Sequence, residues 1–188
     1  MRLEGVAPFG PPAFILASRD GNAVLLLPRD MPRVLRGAKP ENILGALTGV
    51  SLAPADLLAI LTGCVMPMPR ATAGRLHANG WASIDLMGGA TLYLQQTPAR
   101  RGSSASPWIL RAAKRAGWQI EYPAWASGFP ESVHLQSDAS ATMVDLSAGL
   151  SQIETNKDLE ETAFTVTVPA GAEAITLDEL RDNGPLGS

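Results

Sequence analysis

The chain has 188 residues, 46% hydrophobic and 18% charged, which is the composition of a folded globular protein and excludes a disordered one. Its length suits one domain with a sizeable core. Fifteen Lys and Arg against 18 Asp and Glu leave a net charge of −3, and with the basic residues scattered no nucleic-acid-binding face is expected.

Met1 leads directly into Arg2, Leu3 and Glu4, which form neither the basic start nor the apolar core of a signal peptide. No run approaches the roughly 18 apolar residues of a membrane span. A first strand is expected from Arg2 to Val6. Ala13 to Ala17 and Ala23 to Leu27 then flank Asp20-Gly21, a pair that supplies the positive φ angles of a two-residue type I′ turn. That turn puts Phe14 and Leu16 on one face with Leu25 and Leu27, and Ile15 and Ala17 on the other with Val24 and Leu26. Both faces are apolar, so both must be covered.

Pro40 to Leu47, stopped near Gly49, and Pro54 to Leu61, stopped by Gly63, predict a helical hairpin through the link Val50-Ser51-Leu52. In the second helix Leu57, Leu58, Ile60 and Leu61 form the expected inward stripe. Leu61-Thr62-Gly63-Cys64 spells a bacterial lipobox, but Glu41, Pro54 and Asp56 interrupt the region where a signal core of about 7 to 15 residues must be uncharged and continuous. The segment therefore reads as a helix end. As the one cysteine, Cys64 excludes an internal disulfide and cannot alone build a thiolate metal cage. Set between Gly63 and Val65, it lacks the flanking charge that would activate it beside His77, and it is expected to be buried and inert.

Trp81 to Leu86 and Thr91 to Gln95 predict a second hairpin around Gly88-Gly89. A three-residue loop with a glycine bulge pairs Leu86 with Leu92 and Ile84 with Leu94, leaving Ser83, Asp85, Tyr93 and Gln95 on a wetter face. Arg100 to Ser106 is a polar loop. Further alternating strands follow in Trp118, Ile120 and Tyr122 against Gln119 and Glu121, in Val133 and Leu135 against His134 and Gln136, and in Phe164, Val166 and Val168 against Thr165 and Thr167. A last helix from Leu177 to Asp182 carries a Thr176/Glu179 capping box and stops at Gly184-Pro185. The pattern is α+β and mainly β, a meandering antiparallel sheet with few helices in a single domain over residues 1–188.

Catalytic signals are sparse. Neither His77 nor His134 has metal-ligand spacing, and no GxSxG, GxxxxGK[ST] or GxGxxG motif occurs. His134 reads as an ordinary exposed histidine on a polar strand face. Isolated Asp, Glu and His residues stand where an enzyme needs paired groups, so a non-enzymatic protein without cofactor or metal is expected.

The run Glu161 to Ala172, with Phe164-Thr165-Val166-Thr167-Val168 ending in Pro169-Ala170-Gly171, resembles the closing strand of the LolA/LolB lipoprotein-localisation superfamily. The opening Leu3 to Gly10 and the stretch Ile43 to Cys64 resemble uncharacterised envelope lipoproteins related to it. The resemblance implies a curved antiparallel sheet, an open half-barrel, whose concave face is covered by the helical hairpin and whose cavity accepts acyl chains. It implies a periplasmic or outer-membrane location, with lipid acyl chains or lipoproteins as partners and a possible outer-membrane association. Members begin with an export signal followed by a helix and early strands, so a signal and at least one strand pairing with Leu3 to Val6 are expected before Met1. The apolar cavity candidates are Leu25, Leu27, Leu57, Leu58, Leu61, Ile84, Leu86, Leu92 and Leu94. The competing expectation is a structural or interaction module that uses the same fold without lipid.

Overall fold

The computed structural model describes residues 1–6, 8–64, 68–98, 107–115, 117–137 and 144–182. In chain order its elements are β1 (Arg2–Gly5), β2 (Phe14–Arg19), β3 (Asn22–Leu27), β4 (Arg33–Arg36), α1 (Pro40–Thr48), α2 (Pro54–Thr62), β5 (Ala71–His77), β6 (Trp81–Leu86), β7 (Thr91–Gln96), β8 (Trp108–Arg115), β9 (Trp118–Ala126), β10 (Phe129–Ser137), β11 (Asp145–Gly149), β12 (Glu173–Ala174) and α3 (Leu177–Asp182). The protein is α+β and mainly β, with no closed barrel among the described residues. Where the sequence reading expects one sheet, the strands divide into two, and the chain gathers into two compact units: Met1–Ala55 with Glu154–Ser188, and Asp56–Ile153.

In the first unit β1 to β4 run antiparallel in sequence order, and β12 adds in parallel to β4. Arg19 stands opposite Asn22, so Asp20 and Gly21 alone make the turn, at φ of 52° and 78°. Those are the two positive angles of a type I′ hairpin, as the Asp-Gly pair predicts. The resulting register aligns Leu16 with Leu25 and Leu25 with Leu35, a row that is at most 1% exposed. Ile43 and Leu47 of α1 and Leu180 of α3 close over it. Ala17, Leu26 and Val34 on the opposite face are buried as well, so the hairpin is covered twice.

The helix ends follow their capping residues. Pro40 opens α1 where its missing N–H costs nothing, and Gly49, at φ 75°, closes it by donating its N–H to the Gly45 carbonyl at 2.9 Å. The capping box of α3 forms in both directions: the Thr176 N–H donates to Glu179 Oε2 at 2.7 Å and the Glu179 N–H to Thr176 Oγ1 at 3.2 Å. The stop at Gly184-Pro185 and the polar loop of Arg100 to Ser106 lie outside the described residues.

The expected closing strand does not form. Glu161–Phe164 is a turn of 3₁₀ helix, and residues 165–169 join no ladder. Its alternation survives only as burial, with Phe164, Val166 and Val168 half-buried and Thr165 and Thr167 exposed. The Arg2 guanidinium donates to the carbonyls of Ala163 at 3.3 Å and Thr165 at 2.7 Å, so a side chain takes acceptors that a neighbouring strand would need.

The second unit is a seven-stranded antiparallel meander from β5 to β11 in strict sequence order. Its β6–β7 hairpin has a different register from the expected one. The Leu86 N–H bonds the Ala90 carbonyl at 2.8 Å across Met87-Gly88-Gly89, so Ile84 faces Leu92 and Ala82 faces Leu94. Two consecutive glycines at φ 96° and 83° permit the three-residue loop, whereas the expected pairing of Leu86 with Leu92 would leave five residues between the strands. The slip is two residues, which preserves the face each side chain occupies; a slip of one would have exchanged the faces.

The two helices of the expected hairpin divide their contacts. α1 packs on the first sheet, whereas α2 from Asp56 onward belongs to the second unit. There Asp56 pairs with Arg115 of β8 at 2.8 Å, and a Cβ on Gly63 would come within 2.5 Å of the Trp125 ring of β9. Ile60 is buried and Leu57 and Leu61 are half-buried, but Leu58 is 63% exposed, a correction to the expected inward stripe. Positions 57, 60 and 61 share one side of a helix at i, i+3 and i+4, and Leu58 lies off that side.

Gly21→Val tests the turn in isolation, because a Cβ there meets no atom within 4 Å and only the backbone angle objects. A β-branched residue at φ 78° should lower stability by about 1–3 kcal/mol, read from denaturant unfolding. An unchanged midpoint would refute the type I′ geometry.

Candidate functional site

The first unit carries an open groove of about 770 Å³. Its position follows from the sheet. Antiparallel pairing places Arg36, the last residue of β4, opposite Val24 at the start of β3, so α1 begins at the same end of the sheet as the Asp20-Gly21 turn. The link after α1 then folds back along the helix, with Ser51 Oγ donating to the Glu41 carbonyl at 3.3 Å. Gly45 permits that return, since a Cβ there would lie 3.2 Å from Ser51 Cβ. The starts of α1 and α2 thereby line the groove together with the hairpin turn, and the segment bearing Leu159, Glu161 and Phe164 completes it.

The lining is an apolar floor with a charged rim. Met1, Leu159 and Phe164 join Pro40, Ala53, Pro54 and Ala55, while Arg19, Asp20, Lys39, Glu41 and Glu161 supply both signs of charge. Arg19 bridges to Glu161 at 3.1 Å and to Asp20 at 3.6 Å. These exposed pairs orient the rim more than they stabilise it.

None of the nine apolar candidates lines this groove. Leu25 is 0% exposed in the core of the first unit, and Leu27 packs against that core. Leu57, Leu58 and Leu61 lie on α2, and Ile84, Leu86, Leu92 and Leu94 on β6 and β7. Two of the nine thus belong to the first unit and seven to the second. Leu86 is buried, and Ile84, Leu92 and Leu94 are half-buried. Apart from Phe164, which opens the alternating run read as a strand, the groove's own residues sit at element ends and in irregular chain, where no apolar period marks them.

The second unit carries polar groups that sequence reasoning treated singly. Ser83, expected on a wet face, is 4% exposed, and its hydroxyl lies 2.9 Å from His77 Nε2. Arg75 and Thr91 both hold the Asp85 carboxylate, at 3.4 and 2.9 Å. His134 departs from an ordinary exposed histidine: its Nε2 is 2.7 Å from Asp145 Oδ1, and its Nδ1 is 3.6 Å from Glu121 Oε2. The Asp145 hydrogen bond raises the His134 pKa above its usual value against a smaller opposing effect of burial, with Glu121 adding to the rise. Asp145 is lowered in turn by His134 and by the Gln136 amide. Among the described residues no group of three His, Cys, Asp or Glu side chains is placed to hold a metal ion.

Cys64 is exposed, which corrects the expectation of a buried thiol. The left-handed turn at Gly63, φ 66°, ends α2, and Cys64 follows it with its N–H on Thr62 Oγ1 at 3.3 Å. Burial together with this nearby thiol pushes the Tyr122 phenol up to about 12. Elsewhere in the first unit two loops expose apolar side chains: Val6 and Phe9 between β1 and β2, and Met31 between β3 and β4. Phe9 is 91% and Met31 71% exposed, and Arg29 joins the loops by donating to the Pro11 carbonyl at 3.3 Å.

Comparison with protein-family models, with curated proteins and with solved structures finds no match to this chain.

Tyr122 makes a pH prediction. Its folded pKa lies above the ordinary value of 10, so the stability its neutral phenol contributes is complete below pH 10 and is lost as pH rises toward about 12. The expected loss is roughly 2–3 kcal/mol over that interval. Tyr122→Phe should flatten this alkaline limb in a series of unfolding midpoints against pH; an identical limb in both proteins would show that another group causes it.

Proposed function

We propose that the protein is a non-enzymatic lipid-binding or lipoprotein-handling module of the bacterial envelope, and that the groove of the first unit holds an acyl chain. The groove is the observation that carries this reading. Its volume of about 770 Å³ falls within the range of about 300–1,000 Å³ typical of small-molecule sites. Acyl burial contributes about 0.8 kcal/mol per CH₂, so an apolar floor can hold a chain without specific polar contacts. The mixed charges of Arg19, Lys39 and Glu161 at the rim suit an amphipathic molecule whose head stays wet.

The resemblance to the LolA/LolB superfamily points the same way, to a periplasmic or outer-membrane site of action and to lipoproteins as partners. Exposed Phe9, Met31 and Val6 on adjoining loops support an outer-membrane association, because apolar side chains that water surrounds gain free energy on entering a lipid interface.

The alternative is an interaction module that carries no lipid. It is favoured by β5, the edge strand of the second sheet, whose seven residues are all exposed. An edge with unpaired backbone groups is a template for pairing with another strand.

Displacement of a fluorescent fatty acid separates the two readings. The wild-type protein should bind the probe, while Leu159→Asp and Phe164→Asp should weaken binding at least several-fold, because a charge on the floor must be desolvated by the chain. Leu159 is 63% exposed, so its variant should keep the native circular dichroism. Leu58→Asp, on α2, should bind as wild type. Absence of probe binding favours the interaction module, and unaltered binding by both groove variants places the acyl site elsewhere.

A further inference from the structure

Glu121, His134 and Asp145 stand on three neighbouring strands of the second unit, with β10 in the middle. The register sets His134 opposite Glu121 of β9 and opposite Ser147 of β11. Its two ring nitrogens point to different strands: Nε2 lies 2.7 Å from Asp145 Oδ1 and Nδ1 3.6 Å from Glu121 Oε2. Gln136 of β10 donates to the other Asp145 oxygen at 3.0 Å. Only a doubly protonated imidazole presents an N–H to both carboxylates; the neutral ring turns a lone pair toward one of them. The charge state of one side chain therefore decides whether the imidazole donates to carboxylates on both flanking strands and whether its bond to Asp145 is an ion pair, while the backbone ladders of β10 to β9 and β11 form in either state.

The strand that depends on this contact is β11. It is the edge of the seven-stranded sheet, and of its five residues only Ala148 is even half-buried. Leu146, its one large apolar side chain, is 42% exposed. With so little apolar burial, β11 is held by its ladder to β10 and by the polar contacts of Asp145, and such a segment opens locally at low cost. After it the chain passes through residues 150–153 and continues into the first unit.

We propose that Glu121, His134 and Asp145 form a protonation-controlled clip that secures the edge strand β11 when His134 is charged and loosens it when His134 is neutral. The direction follows from linkage. Asp145 raises the His134 pKa above 6.5, so the clip's contribution is complete below 6.5 and fades as pH rises through the higher folded value. On the acid side the His134 and Gln136 hydrogen bonds hold the Asp145 carboxyl below its ordinary value, so it keeps its charge as pH falls through 3.8. Charged groups on the adjoining strands include Lys114 of β8, which stands opposite Gln119, Arg111 of β8, whose Nη1 donates to the Pro123 carbonyl of β9 at 3.2 Å, and Glu131, three residues before His134 on β10. Lys114 is two strands away from His134, and solvent screening between exposed charges limits its effect.

Amide hydrogen exchange of residues 145–149, corrected for the intrinsic rate and compared between about pH 5.5 and about pH 8.5, tests this. Protection of β11 in the wild-type protein should fall about two- to fivefold across that interval, the scale of an exposed ion pair. His134→Gln and Asp145→Asn should abolish the pH dependence, whereas Lys114→Gln should retain it. A wild-type β11 equally protected at both pH values, or an undiminished dependence in His134→Gln, overturns the clip. Should those variants fail to fold, NMR titration of the wild-type imidazole decides: a His134 midpoint above 6.5 supports the clip, and one at or below it overturns it.

Discussion

Two adjacent residues at positive φ set the geometry of the first unit. Asp20 and Gly21 close the β2–β3 hairpin with no residue to spare, and this fixes Leu16 against Leu25. Leu35 extends the row, and α1 and α3 pack over it through Ile43, Leu47 and Leu180. A one-residue slip would carry each of these leucines to the other face. The same turn marks the end of the sheet at which α1 begins, so the residues that fix the register also form one wall of the groove.

The second unit is organised differently, with strands that follow one another without crossover and a face held by polar contacts. Asp85 receives Arg75 and Thr91, Gln95 receives Arg111, and Ser83 meets His77. Such contacts fasten neighbouring strands to one another, and at exposed positions each contributes little. The His134 contact differs from those of the arginines and Asp85, because an imidazole can change its charge near neutral pH while arginine and the carboxylates do not.

Hydrophobic patterning located the core better than the groove, for a physical reason. An apolar period identifies a face that must leave water, and when the fold satisfies that demand completely the face becomes packed interior, as at Leu25. A groove needs apolar groups that the fold leaves partly unsatisfied. Leu159 and Phe164 are of that kind: Leu159 sits in irregular, acid-rich chain without a period, and the alternation that begins at Phe164 reads as a strand although the chain turns there as a 3₁₀ helix. The exposed thiol at Cys64 illustrates the same limit: the residue follows an apolar helix, but the left-handed turn at Gly63 takes it out of the helix's buried side.

Local chemistry determined a good deal by itself. The Asp-Gly turn, Pro40 and Pro54 at helix starts, the glycine stops at 49 and 63 and the Thr176/Glu179 box all depend on backbone angles and hydrogen bonds within a few residues, and all are in place. The strands β4, β5, β8 and β11 were not legible: β4 is only four residues, and β5 (Ala-Thr-Ala-Gly-Arg-Leu-His) has no alternation because none of its residues is buried. What forms them is pairing to a neighbour, a long-range event that leaves no local pattern. Tertiary structure alone decided that Phe164 to Val168 stays outside the sheet, where the carbonyls of Ala163 and Thr165 meet an arginine 161 and 163 residues earlier in the chain. It also decided that α1 and α2 serve different units, because two similar apolar helices carry no information about which sheet each will cover.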